Sequence, residues 1–184
     1  MLTDRGVHTL DLLLWWVGPL AELDYSDDAA GGVEANCVIR MRTEAGASGY
    51  LQLSWEWPLA NQYLFNFDKG WLLYSYDLVD SFHWGWHDSS TSQRVAIEKD
   101  TRLGFDHLPK ASPASTHLFG CFELQLRNVL AAIAHEEKLV CPGPEARNTV
   151  ALIERCYRER KPLRQPWLPE TEQSKFEALE TRVG

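Results

Sequence analysis

Polar side chains recur at Asp4, His8 and Asp11 in the first twenty residues, spaced four and three apart. On a helix that spacing sets all three on one side, each about one turn from the next. Leu10, Leu12, Leu13, Leu14, Trp15, Trp16 and Val17 fill the rest and predict an apolar surface buried against the domain, ended by Gly18-Pro19. Thr3 stands where an N-cap belongs, and Asp4 falls in the first turn, where the helix dipole favours a negative charge. Gly6 disfavours a helix by roughly 0.5–1 kcal/mol, so it predicts that something approaches closely there.

The period then changes to two. Ala21, Leu23 and Tyr25 alternate with Glu22, Asp24 and Ser26, which predicts a strand, and Gly31-Gly32 breaks it. Val33 to Met41 and Leu51 to Trp57 alternate on either side of Glu44-Ala45-Gly46, the pattern of a hairpin. Tyr63 to Phe67 and Trp71 to Tyr76 flank Asp68-Lys69-Gly70 and predict a second hairpin. Phe82, Trp84 and Trp86 share one face of the next strand and His83 and His87 the other. Residues four apart on a strand lie about 13 Å apart, too far for one ion, so these histidines do not read as a metal site. Arg94 to Lys99 predicts a further strand, and residues 100–116 a loop.

Helical periodicity returns near the end. Phe122, Leu126, Val129, Leu130 and Ile133 predict one buried stripe, and Val150, Ile153 and Tyr157 another, on a helix opened by Pro144. Pro162, Pro166 and Pro169 predict an extended tail. Strands in the middle with helices at both ends make an α+β domain: a largely antiparallel, open-faced sheet with helices packed on one face. We expect one domain over residues 1–169 and a tail over 170–184.

The 184 residues are 45% hydrophobic and 24% charged, an ordinary globular composition. A net charge of −8 argues against nucleic acid or an anionic membrane as partner. Cys37, Cys121, Cys141 and Cys156 show no zinc or redox spacing and read as free thiols of a cytoplasmic protein. The apolar run Leu12–Val17 is too short to cross a bilayer.

The run Asp4-x-Gly6-x-His8-x-x-Asp11, with the aliphatic and tryptophan-rich turns after it, resembles the opening of the C-terminal domain of the glucose-fructose oxidoreductase, inositol dehydrogenase and rhizopine-catabolism (Gfo/Idh/MocA) oxidoreductases. Phe122 to Ile133, Pro144 to Arg147 and Ala151 to Tyr157 resemble that domain's closing helices. The resemblance implies a fold like the C-terminal domain of glyceraldehyde-3-phosphate dehydrogenase, an open sheet that pairs with a second subunit, and NAD or NADP as cofactor. It implies His8 as catalytic acid/base with Asp4 beside it. Asp11 and His117 are candidate substrate contacts, Gly6 a point where a cofactor could come close, and no residue is assigned to a metal. The family's N-terminal dinucleotide-binding (Rossmann) domain is absent: no Gly-x-Gly-x-x-Gly occurs, and Arg160-Lys161-Pro162 lacks the glutamate of the family's Glu-Lys-Pro motif.

Three functions follow as expectations. The first is the substrate-binding domain of an NAD(P)-dependent oxidoreductase for a CH–OH group of a sugar or polyol. It would be inactive and unable to bind the cofactor alone, assembled as a homo-oligomer and dependent on a separate dinucleotide-binding domain or chain. The second is a binding or assembly module that kept the fold. The third is a metal-dependent hydrolase using Asp4, His8 and Asp11.

Overall fold

The structure, a computed structural model, describes residues 1–29, 32–75, 81–96, 113–163, 170, 171, 174 and 178, with side chains in the last long helix-bearing stretch described from residue 122 onward. The chain divides into two compact units, Met1–Leu59 with Cys141–Gly184, and Ala60–Val140. The α+β class read from the sequence holds, with the strands shared between two four-stranded sheets.

The first unit opens with a single π turn, Leu2–Gly6, and continues into α1, Val7–Val17. Three strands follow, β1 (Leu20–Asp27), β2 (Asn36–Thr43) and β3 (Ser48–Ser54). They pair antiparallel through the expected hairpin, whose Gly46 has φ 90°. In register, Leu23–Met41, Tyr25–Ile39–Leu51 and Asp27–Cys37–Leu53 line one face. Period-two alternation sets Glu22, Asp24, Arg40 and Arg42 on the other, where Arg42 reaches Glu22 at 3.4 Å.

The inner face meets the helices. Leu2, Leu10, Tyr25, Cys37, Ile39 and Cys156 are fully buried, with Ile153 and Met41 beside them. α3, Gly143–Arg158, starts one residue before Pro144, which takes the second rather than the expected first position, and packs on α1 and β1. The chain then adds a two-residue strand, β8 (Lys161–Pro162), parallel to β1, where the prolines had predicted only an extended tail. Leu163 N–H bonds the Asp27 carbonyl at 2.7 Å, and Arg160 Nη2 donates to the buried Asp27 carboxylate at 2.6 Å.

The second unit carries an antiparallel meander, β4 (Gln62–Asn66), β5 (Gly70–Ser75), β6 (Ser81–Trp86) and β7 (Ser92–Ala96). Its register aligns Tyr63, Phe65, Leu72, Tyr74, Phe82 and Trp84 on one face, with Trp86 at the end, 51% exposed. Tyr63 stacks on Phe65 and Tyr74, and Trp84 meets Trp86 edge to face at 5.3 Å. Trp71 lies over Gly85, where a Cβ would come within 3.1 Å of the indole. α2, Pro113–Ile133, starts earlier than expected, so residues 113–116 are helix rather than loop.

Two apolar stripes differ from expectation. Trp15 is 73% exposed, because at 100° per residue it falls between His8 and Asp11, opposite the buried Leu10. Phe122, Leu126, Leu130 and Ile133 on α2 are also exposed. Helical spacing marks which residues share a face; it does not say that the chain itself supplies the cover. No helix among the described residues is long and apolar enough to cross a membrane.

Candidate active site on the first helix

The expected α-helix from Thr3 begins instead as a π turn. The Met1 carbonyl receives three amides, Asp4 N–H at 3.2 Å, Arg5 N–H at 2.9 Å and Gly6 N–H at 3.3 Å. No side chain caps the turn or α1, so Thr3 is not the N-cap that its position suggested. Such a turn holds one residue more than a regular helical turn, a device common at functional sites. Gly6 is buried, and the close approach it permits is internal. A Cβ there would sit 2.7 Å from Leu2 Cδ1 and 2.9 Å from Leu53 Cδ1.

Asp4 and His8 are both exposed, and among the described residues no hydrogen bond joins them. The backbone places them; they do not hold each other. Asp11, one turn further, accepts a hydrogen bond from Thr149 Oγ1 of α3 at 2.8 Å, which fastens α1 to α3 through a buried hydroxyl. Arg5, pointing outward from the turn, lies 4.9 Å above the Trp55 ring. His117 falls within α2 rather than in a loop, and its side chain lies outside the described residues.

Beneath the turn is a group that sequence reasoning missed. Glu34, 6% exposed, accepts Leu2 N–H at 2.8 Å, Tyr157 O–H at 2.7 Å and the Met1 nitrogen at 3.1 Å, all on Oε1. Burial pushes its carboxyl upward, but the bonds from Tyr157, Leu2 and Met1 prevail and hold it at about 2. The Tyr157 hydroxyl is pushed up to about 12 by burial and by the bond to Glu34. Glu34 and Tyr157 lie 123 residues apart, so no local pattern linked them.

Among the described residues no group of three His, Cys, Asp or Glu side chains is placed to hold a metal ion. The described residues do not fit a dinucleotide either. Their only parallel pairing is the two-residue β8 on β1, no glycine turn leads from a parallel strand into a helix, and the open side of Gly6 is filled by Leu2 and Leu53.

Residues 1–73 match the family model of the GFO/IDH/MocA C-terminal domain. No curated protein matches the chain by sequence. Among solved structures, the chain is similar to the UDP-N-acetylglucosamine 3-dehydrogenase GnnA of Acidithiobacillus ferrooxidans, with 17% identity and a TM-score of 0.62 over 85% of this chain and 46% of that one. It is also similar to the WlbA dehydrogenase of Bordetella pertussis, solved with NADH and UDP-GlcNAcA, with 20% identity and a TM-score of 0.59 over 86% and 44% of the two chains. A levoglucosan dehydrogenase in complex with NADH and levoglucosan gives 14% identity and a TM-score of 0.59 over 85% and 48%. The chain therefore has this C-terminal domain fold and spans less than half the length of these three relatives.

Proposed function

We propose that this chain is the substrate-binding domain of an NAD(P)-dependent oxidoreductase that acts on a CH–OH group of a sugar, polyol or related compound. The observation that carries the reading is the placement of Asp4 and His8, exposed together on an anchored turn and helix inside the segment that matches the GFO/IDH/MocA C-terminal domain. An imidazole in contact with a carbinol can take the hydroxyl proton near neutral pH, and a carboxylate one turn away can accept a substrate hydroxyl or steady the imidazolium. Asp11 has the supporting part, since its carboxylate is engaged by Thr149.

A nicotinamide, when bound, accepts the hydride of the same carbon. Holding it falls to a dinucleotide-binding domain of a longer product or of a partner chain, because the described residues of this chain do not fit one. The isolated chain is then inactive. We further infer a homo-oligomer built on the aromatic face of the β4–β7 sheet, which as a large apolar surface favours pairing. The buried thiols of Cys37 and Cys156 suit a reducing compartment such as the cytoplasm.

The test has two arms. The purified chain is mixed with NAD⁺ or NADP⁺ and a panel of inositols, aldoses and nucleotide sugars, and no reduced cofactor should form; turnover would overturn the dependence on a second domain. In the enzyme assembled with a cofactor domain, His8→Gln should lower kcat by about 10²–10⁴-fold, the usual worth of a positioned acid/base. An unchanged kcat would remove His8 from the chemistry.

A further inference from the structure

We propose that Glu34 is a positioning residue for the Asp4–His8 pair, its buried Oε1 fixing the π turn by accepting Leu2 N–H and Tyr157 O–H together. The inference rests on the acid/base reading of His8.

A π turn is poorly held by its own ladder. Here Asp4, Arg5 and Gly6 share one carbonyl, that of Met1, so the turn needs an anchor from outside. Glu34 supplies it at 2.8 Å to Leu2 N–H. Leu2 is fully buried and Glu34 nearly so, which leaves no water to replace a lost bond. The same oxygen takes the Tyr157 hydroxyl at 2.7 Å, and Tyr157 belongs to α3. One acceptor thus joins the turn to α3.

A second fastening lies along the same seam, the bond from Thr149 of α3 to Asp11 of α1. Asp4 and His8 lie in sequence between these two fastenings, at Leu2 and at Asp11. Sliding or rolling the segment breaks one bond or the other, so the backbone that carries both side chains is held relative to α3. Reacting groups displaced by as little as about 1 Å can lose about a hundredfold in rate, so an anchor of this kind acts on function without touching substrate.

The test uses the 184-residue chain and needs no turnover. The ring signal of His8 in a ¹H–¹³C NMR spectrum is assigned with His8→Gln, and amide exchange is read over residues 3–6. Glu34→Ala should shift the His8 signal and speed exchange of those amides about tenfold or more. Glu34→Gln, which keeps Oε1 as an acceptor, should restore both. An unmoved His8 signal in Glu34→Ala overturns the proposal, and so does a Glu34→Gln protein as disturbed as Glu34→Ala. If Glu34→Ala does not fold, Tyr157→Phe is read the same way: a shifted signal supports the anchor, an unmoved one overturns it. Failure of the acid/base reading would appear separately, as an unchanged kcat for His8→Gln in the assembled enzyme.

Discussion

A carboxylate held at about 2 inside a protein makes stability depend on pH in one direction. The Glu34 carboxyl lies below its ordinary 4.5, so between those values the unfolded chain binds more protons than the folded one. Its stabilisation is complete above about 4.5 and is lost as the pH falls toward about 2. Acid titration followed by tryptophan fluorescence should show an unfolding limb in that window, and Glu34→Gln should flatten it. The thiols behave differently by position. Burial pushes Cys37 and Cys156 up to about 12, whereas Cys141 is exposed. A thiol reagent at about pH 8 should therefore label Cys141 in the folded protein and reach Cys37 and Cys156 only on unfolding, as mass spectrometry of the peptides would read. The free thiols were legible from their spacing, but the Glu34 anchor was not, because Glu34 reads locally as the polar member of an alternating strand. Its partners come from residues 2 and 157.

At the scale of elements, α2 closes on a Schellman motif. Glu136 N–H bonds the Ala131 carbonyl at 2.9 Å, and His135 N–H bonds that of Ala132 at 3.1 Å. His135 occupies the left-handed position, φ 62°, which glycine takes without steric cost. His135→Gly should raise stability by roughly 0.5–1 kcal/mol, the relief of the left-handed strain less the added freedom of the unfolded chain, seen as a higher denaturant midpoint. The strands were legible because alternation is a local signal. β2, β3, β4, β5 and β6 lie where Cys37 to Met41, Leu51, Tyr63, Trp71 and Phe82 predicted them. The π turn was not, since nothing in Leu2-Thr3-Asp4-Arg5-Gly6 distinguishes one extra residue in a turn from a regular one. β8 was hidden too, as two residues carry no period. The Asp4-to-Asp11 face was visible from spacing, but the exposure of Trp15 beside it was lost among the leucines around it.

For the whole molecule, the pairing proposed for the aromatic face of the β4–β7 sheet is open to a direct test. Trp86→Glu places a charge on that face at a half-exposed site, so the fold should survive while sedimentation velocity shifts toward monomer. A wild-type chain that already sediments as a monomer at micromolar concentration would exclude the pairing. The first unit is built from both ends of the sequence, with β8 and α3 closing what β1 to β3 begin. That arrangement imposes an order in time. While the chain is being synthesised, Asp27 waits without Arg160, Tyr25 without Tyr157, and β1 keeps an unpaired edge until residues 161 and 162 have left the ribosome. The segment bearing Asp4 and His8 is made well before the residues that fasten it and is held only when Thr149 and Tyr157 arrive.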